Sequence, residues 1–215
     1  MQAEVATLTQ AVLDTWACKP AQKVAPPQTA ILAIDLRKAF DCAPRAILIQ
    51  KLLKLQINKH LVLMICEWLY DREIQTKFGF EMSSIRKVAT GLPQGSVICP
   101  LLFIIFVNDL LTDMGSDTIS DHHDLNAVKR FFAAMFADDF NCFISAPSTT
   151  QLFLRLQEVA DVVAHWRHEN LMEISTGEGE SEFMILRKGT AAHIPADVEE
   201  RGVAIYGEKF AGLLR

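Results

Sequence analysis

The sequence has little of what marks a secreted, membrane-spanning or disordered chain. Its five cysteines, Cys18, Cys42, Cys66, Cys99 and Cys142, are odd in number, widely spaced and form no CxxC pair. Most sit in apolar settings, so they read as reduced packing residues of an intracellular protein. Ten glycines and eight prolines in 215 residues are too few for a long disordered region. No internal repeat or low-complexity segment is present. The opening MQAEVATLTQAVLD lacks the apolar core of a secretory leader. The most apolar stretch, Val97 to Val107, contains Pro100, is closed by Asn108-Asp109 and is too short to span a bilayer. Positive charge is also short overall. A net charge of −5 counts against a freestanding nucleic-acid binder, which is usually basic. The sign is uneven, however. Arg37, Lys38, Arg45, Lys51, Lys54, Lys59, Arg72, Lys77, Arg86 and Lys87 make the early half locally basic, and acid gathers later.

What is present is the composition of a globular domain, half hydrophobic and 22% charged, with length for one substantial core or at most two small ones. Residues 18–29, CKPAQKVAPPQT, read as a linker. AILAIDL (30–36) is a strand by length and branching. RAILIQKLLKLQI and NKHLVLMICEWLYD are helices, the second capped by Asn58. EIQTKFG and EMSSIRKVA alternate around a glycine and predict a hairpin. GLPQG is a tight loop, and SVICPLLFIIFVNDLLTDM reads as a buried helix. FFAAMFADDFNCFISA predicts two strands joined by a two-residue turn made of Asp138 and Asp139. Ser148 caps a long amphipathic helix to about Trp166. MEIS and SEFMILR are strands, and GVAIYGEKFAGLL is a last hairpin. The order predicts an α+β fold with helices packed on one face of a mainly antiparallel sheet.

The adjacent carboxylates of Asp138 and Asp139 are the feature that needs a cause. Charges among apolar neighbours are expensive unless paired, hydrogen-bonded or bound to metal. A hairpin tip of carboxylates suits magnesium, which takes hard oxygen ligands and few protein carboxylates. Asp35 ends an apolar strand. If that strand lies beside the hairpin, Asp35 and Asp138 bridge two ions suited to phosphoryl displacement. The bland reading is a surface turn with two solvated aspartates.

Three stretches read together favour the first reading. IDLRKAFDCAPRAIL (34–48), TGLPQGSVICPLLFIIFVNDL (90–110) and MFADDFNCF (135–143) resemble motifs A, B and C of reverse transcriptases of non-LTR (LINE-type) retrotransposons. LQEVADVVAHWRHENLMEIS (156–175) is similar to motif D, and EKFAGLL (208–214) to motif E, the primer grip. FADD and LMEIS look closest to trypanosomatid elements. The resemblance implies a polymerase palm over residues 28–215 and an RNA-directed DNA polymerase that joins dNTPs to a DNA primer on an RNA template. It implies catalytic, metal-binding roles for Asp35, Asp138 and Asp139, with two Mg²⁺ ions or Mn²⁺ in their place. It places Phe40 at the steric gate against the ribose 2′-hydroxyl; the alternative is a core phenylalanine. It sets Gln94 and Gly95 along the pocket for the incoming nucleotide. Asp41 is expected to cap the following helix. Arg37, Lys38, Arg86 and Lys87 are candidates for duplex-backbone contacts. An active element would work in the nucleus, without membrane contact.

Two departures stand out. Glu180 occupies the place where motif D usually carries a lysine, and Lys188 lies past the next strand. The fingers segments that precede motif A in this family, and the thumb that follows motif E, lack room. Residues 1–27 are then a linker or a remnant of fingers. The rival expectation is a catalytically inactive palm fragment that at most binds nucleic acid or another protein. A group II intron-type or telomerase-like enzyme shares the palm and is a third reading. Asp121-His122-His123-Asp124 reads as a solvated loop. His165 and His168 read as surface residues, and Trp68 and Trp166 as core.

Overall fold

The computed structural model describes residues 28–115, 131–175, 181–186, 204–205, 208–209 and 212–214, with isolated positions 6, 9, 10 and 13 ahead of them. These fall into two compact units. One takes residues up to Leu36, Leu110–Glu169 and Glu173 onward; the other takes Arg37–Asp109 with Asn170–Met172.

The first unit is built on a five-stranded sheet in the order β11-β8-β1-β7-β6. Its strands are β1 (Gln28–Asp35), β6 (Phe131–Phe136), β7 (Asp139–Ala146), β8 (Glu182–Leu186) and β11 (Gly212–Leu214). β1 is central and antiparallel to both β7 and β8, β6 is antiparallel to β7, and β11 runs parallel to β8. Gln28 and Thr29, read from the sequence as the end of a linker, belong to β1. From Ala30 onward β1 alternates: Ala30, Leu32 and Ile34 are buried, while Ile31, Ala33 and Asp35 are partly open. The period-2 pleat thus puts Asp35 on the more open face. The long helix Thr149–Glu169 lies against β1 and β7, burying Leu152, Leu156, Val159, Val163 and Trp166. Ser148 begins it as expected: its Oγ accepts from the Gln151 N–H at 3.3 Å, and its carbonyl from the Leu152 N–H at 2.9 Å. The last predicted hairpin is present as β9 (Ala204–Ile205) and β10 (Glu208–Lys209). The expected MEIS strand is reduced to one bridge, Ile174 to Leu36.

The second unit holds four helices, α1 (Ala39–Cys42), α2 (Arg45–Lys54), α3 (Lys59–Leu69) and the start of α4 (Cys99–Gly115). Asn58 caps α3, its side chain accepting from the His60 N–H at 2.9 Å. The predicted hairpin is nested. β3 (Lys77–Phe78) and β4 (Glu81–Met82) turn at Gly79, which has a φ of 60°, and β2 (Arg72–Ile74) and β5 (Arg86–Val88) form the outer rungs. α4 is one-sided rather than wholly buried. Leu102, Phe103 and Phe106 are inside, while Leu101 and Ile104 are each 57% exposed. Its inner face is tied to α2 by Lys51, whose Nζ meets Asp109 Oδ2 at 2.7 Å and lies 4.4 Å from the Phe106 ring centroid.

Among the described residues no helix is long and apolar enough to cross a membrane. The Asp121–Asp124 loop, Cys18, Glu180 and Lys188 lie outside the described residues.

Candidate active site

The register of the sheet brings two of the three singled-out carboxylates face to face. Asp35, the last residue of β1, stands directly opposite Asp139, the first residue of β7. Directly opposed residues of an antiparallel pair project from the same face, so like charges there repel. Asp138 sits beside them in the hairpin turn. That turn differs from expectation: its two residues are Ala137 and Asp138, closed by the Phe136–Asp139 pair, and Asp139 is already in the strand. The cause is the pairing with β1, which draws the Asp139 backbone into the ladder. The turn's positive φ, 55°, therefore falls on Ala137. Two-residue hairpin loops need such a conformation, and an alanine adopts it at a cost.

The main chain of Asp35 is held at both ends. Its N–H donates to Ser181 Oγ at 3.1 Å, and its carbonyl accepts from the Ser175 N–H at 2.9 Å. Both serines are buried, at 4% and 5% exposure. Ser175, the last residue of the segment resembling motif D, and Ser181, just before β8, thus hold the Asp35 main chain, a role that sequence reading missed.

The other site candidates lie in the second unit, where two stretches are knitted together. The Leu92 N–H donates to the Phe40 carbonyl at 2.7 Å, and the Gly91 N–H to the Ala43 carbonyl at 3.0 Å. Gln94 Nε2 donates to Asp41 Oδ1 at 3.0 Å. Asp41 therefore does not cap the next helix as expected; Pro44 starts that helix with no side-chain cap, and the Asp41 carboxylate orients Gln94 instead. Phe40 stacks on Phe103, ring centroids 4.4 Å apart, and is partly open. Gly95 is exposed with a φ of 82° and nothing near the position of a Cβ. Gly91 is different. Its φ is 79°, and a Cβ would run into the Asp41 carbonyl, lying 2.7 Å from its carbon. A glycine there is what lets the two stretches touch.

Sequence reading counted Arg45 merely as one of many basic residues. It is buried, and its guanidinium donates from Nε to the Gly91 carbonyl at 2.8 Å, from Nη1 to Val88 at 2.8 Å and from Nη2 to Thr90 at 3.1 Å. Burial, then the nearby Arg72 charge, hold its pKa below the ordinary arginine value. A cavity of about 430 Å³ opens beside it, between Pro44, Tyr70 and Arg72. The signal available in the sequence was an arginine directly after a proline at a helix start, which is not distinctive.

Other candidates are quieter. Arg86 and Lys87 are exposed, and Lys87 pairs with Asp71 at 2.7 Å. That contact draws the Asp71 pKa down and the Lys87 pKa up. His165 and His168 are on the surface, and Trp166 is core. Trp68 is half-buried beneath the Arg72 guanidinium, 5.3 Å from its ring. Cys99 and Cys142 are buried, Cys42 and Cys66 half-buried, and all four are free thiols.

No three His, Cys, Asp or Glu side chains among the described residues are gathered closely enough to hold a metal ion. The donor set nevertheless fits a hard divalent cation. Two carboxylates stand across one ladder with a third next in sequence, and magnesium takes one or two carboxylates and leaves its other positions to phosphate and water. A cation would also relieve the like-charge contact.

A mainly antiparallel sheet whose strand end and hairpin tip carry aspartates, with a long helix against it, is the α+β fold of a polymerase palm. Two solved telomerases share this fold: the apo enzyme of Candida tropicalis truncated from its C-terminal domain (TM-score 0.57, 12% identity, covering 88% of this chain and 35% of that one) and the Candida albicans enzyme in complex with a TWJ fragment of telomeric RNA (TM-score 0.59, 13% identity, 88% and 30%). The family model for reverse transcriptase (RNA-dependent DNA polymerase) matches residues 7–177, and the chain belongs to that family. It is 28% identical over 133 residues to the RNA-directed DNA polymerase from mobile element jockey of Drosophila melanogaster, covering 62% of this chain and 14% of that protein. It is 25% identical over 172 residues to the "Probable RNA-directed DNA polymerase from transposon BS" of the same organism, covering 80% of this chain and 18% of that one. The chain thus spans less than a fifth of the length of these relatives.

Proposed function

We propose that this chain is the palm of a non-LTR retrotransposon reverse transcriptase, which copies an RNA template by joining dNTPs to a DNA primer. The observation that carries the reading is the placement of Asp35 opposite Asp139, with Asp138 in the adjoining turn. It stands beside membership of the reverse transcriptase family.

Asp35, Asp138 and Asp139 are the residues that would hold two divalent ions, Mg²⁺ foremost and Mn²⁺ as a substitute. When bound, such ions stabilise the attacking and leaving oxygens of phosphoryl transfer. The chain's own contribution is rigid placement. Ser175 and Ser181 hold the main chain of Asp35 at both its N–H and its carbonyl. The register between β1 and β7 sets Asp139 opposite it. Phe40, backed by Phe103, is held as a flat wall suited to exclude a ribose 2′-hydroxyl and so to select dNTPs. Gln94, oriented by Asp41, and Gly95 would line the pocket for the incoming nucleotide. Sequence choice falls to template pairing, so the protein needs contacts to the nucleic-acid backbone alone, for which Arg37, Lys38 and Arg86 are exposed. Work in the nucleus, where an element meets its target DNA, belongs to the same proposal.

The test is Mg²⁺-dependent primer extension on an RNA template. It is run with this chain and with a longer chain that supplies flanking segments from a related enzyme. Extension by the longer chain that disappears in Asp138→Asn is expected. A folded longer chain that never extends would make this palm a relic and sink the proposal. So would extension indifferent to both Asp35→Asn and Asp138→Asn.

A further inference from the structure

Arg45 has an environment that a merely solvated basic residue would not have. It is 7% exposed, yet its guanidinium donates to three backbone carbonyls and to no carboxylate. A buried charge is costly unless hydrogen-bonded. Here the cost is offset by one particular stretch of main chain, residues 88–91. That stretch leads directly into Pro93, Gln94 and Gly95. The carbonyls of Thr90 and Gly91 lie past the end of the β5 ladder, so the strand does not satisfy them.

The three acceptors are spread over four residues, from the end of β5 into the loop that follows it. A guanidinium, with planar donors in a fixed fork, can take all three at once; an ammonium is a point charge and cannot reproduce that geometry. The remaining bonds of the seam run the other way. Gly91 and Leu92 donate to Ala43 and Phe40, and Thr90 Oγ1 donates to the Cys42 carbonyl at 3.2 Å. Arg45 thus belongs to the same short stretch as Phe40 and Asp41, and it locks the loop that carries Gln94 against that stretch.

We propose that Arg45 is a positioning residue for nucleotide selection: it sets the loop Thr90–Gly95 against Phe40 and Asp41, so that gate and pocket keep one geometry. The proposal rests on the polymerase reading for the word nucleotide, and on bonds within this unit for the word positioning. The experiment separates the two.

Amide hydrogen exchange at Gly91 and Leu92 is measured in this chain for wild type, Arg45→Lys and Arg45→Gln. Both variants are expected to speed exchange at these amides by about tenfold or more, leaving β1 and β7 amides unchanged. In the longer, extending chain, Arg45→Lys is expected to raise the KM for dNTP by about tenfold, with kcat within about threefold, and to lower the preference for dNTP over rNTP. Arg45→Gln is expected to shift the same way and further. Unchanged exchange overturns the proposal. So does exchange faster throughout the chain, or failure of both variants to fold, since either makes Arg45 a general structural residue. A fall in kcat with KM and selectivity intact overturns it as well. If the longer wild-type chain extends no primer, the polymerase reading fails, while the exchange measurement still decides whether Arg45 holds the loop.

Discussion

The Ser181 hydroxyl offers a sharp test of how the first aspartate is held. Ser181→Ala removes the acceptor of the Asp35 N–H, a bond of 3.1 Å made at a site where Ser181 is 4% exposed. Leaving a buried donor unpaired costs about 1–3 kcal/mol. Asp35 is half-buried, so water recovers part of this, and the expected loss is about 1.5 kcal/mol. With a urea m-value of about 2.5 kcal/mol per molar, the unfolding midpoint should drop by about 0.6 M. Ser84→Ala is the control, because Ser84 is exposed and surface substitutions usually stay within about 0.5 kcal/mol. In the extending enzyme Ser181→Ala should also slow primer extension, since a carboxylate with a loosened main chain is poorly placed for catalysis. A midpoint for Ser181→Ala that coincides with wild type would refute the argument. It would show that the Ser181 hydroxyl does not anchor Asp35.

Three further outcomes follow from the same structure. Ala137→Gly should stabilise the chain by about 1 kcal/mol in urea titration, because Ala137 adopts a φ of 55° that glycine reaches without its Cβ penalty. Gly91→Ala should do the opposite, costing more than about 2 kcal/mol or preventing folding, as its Cβ would overlap the Asp41 carbonyl at a φ of 79°. Burial pushes the Cys142 thiol well above its ordinary pKa, and that of Cys99 upward. Native thiol labelling followed by peptide mass mapping should therefore mark Cys42 and Cys66 well before Cys142 and Cys99. By sign, a raised folded pKa favours the neutral thiol. The stability Cys142 contributes is complete below the ordinary thiol pKa and is lost as pH rises through the folded value.

Local signals carried much of this protein. The alternation of AILAID made β1 and put Asp35 on its open face, because a strand has period 2 whatever packs around it. Asn58 and Ser148 capped the helices they precede, and Gly79 turned the small hairpin, since each acts on backbone a few residues away. The family could be read from motifs because their residues stand in fixed local sequence. What the sequence could not settle depended on partners far along the chain. Whether the turn fell on Asp138-Asp139 or Ala137-Asp138 was decided by the ladder to β1, a hundred residues earlier. Asp41 could have capped a helix, but Gln94, 53 residues on, took its carboxylate. Ser181 reached Asp35 across 146 residues, and Arg45 found its carbonyls more than 40 residues away. A side chain's type limits what it can bond; which main chain arrives within 3 Å of it is a property of the tertiary fold alone.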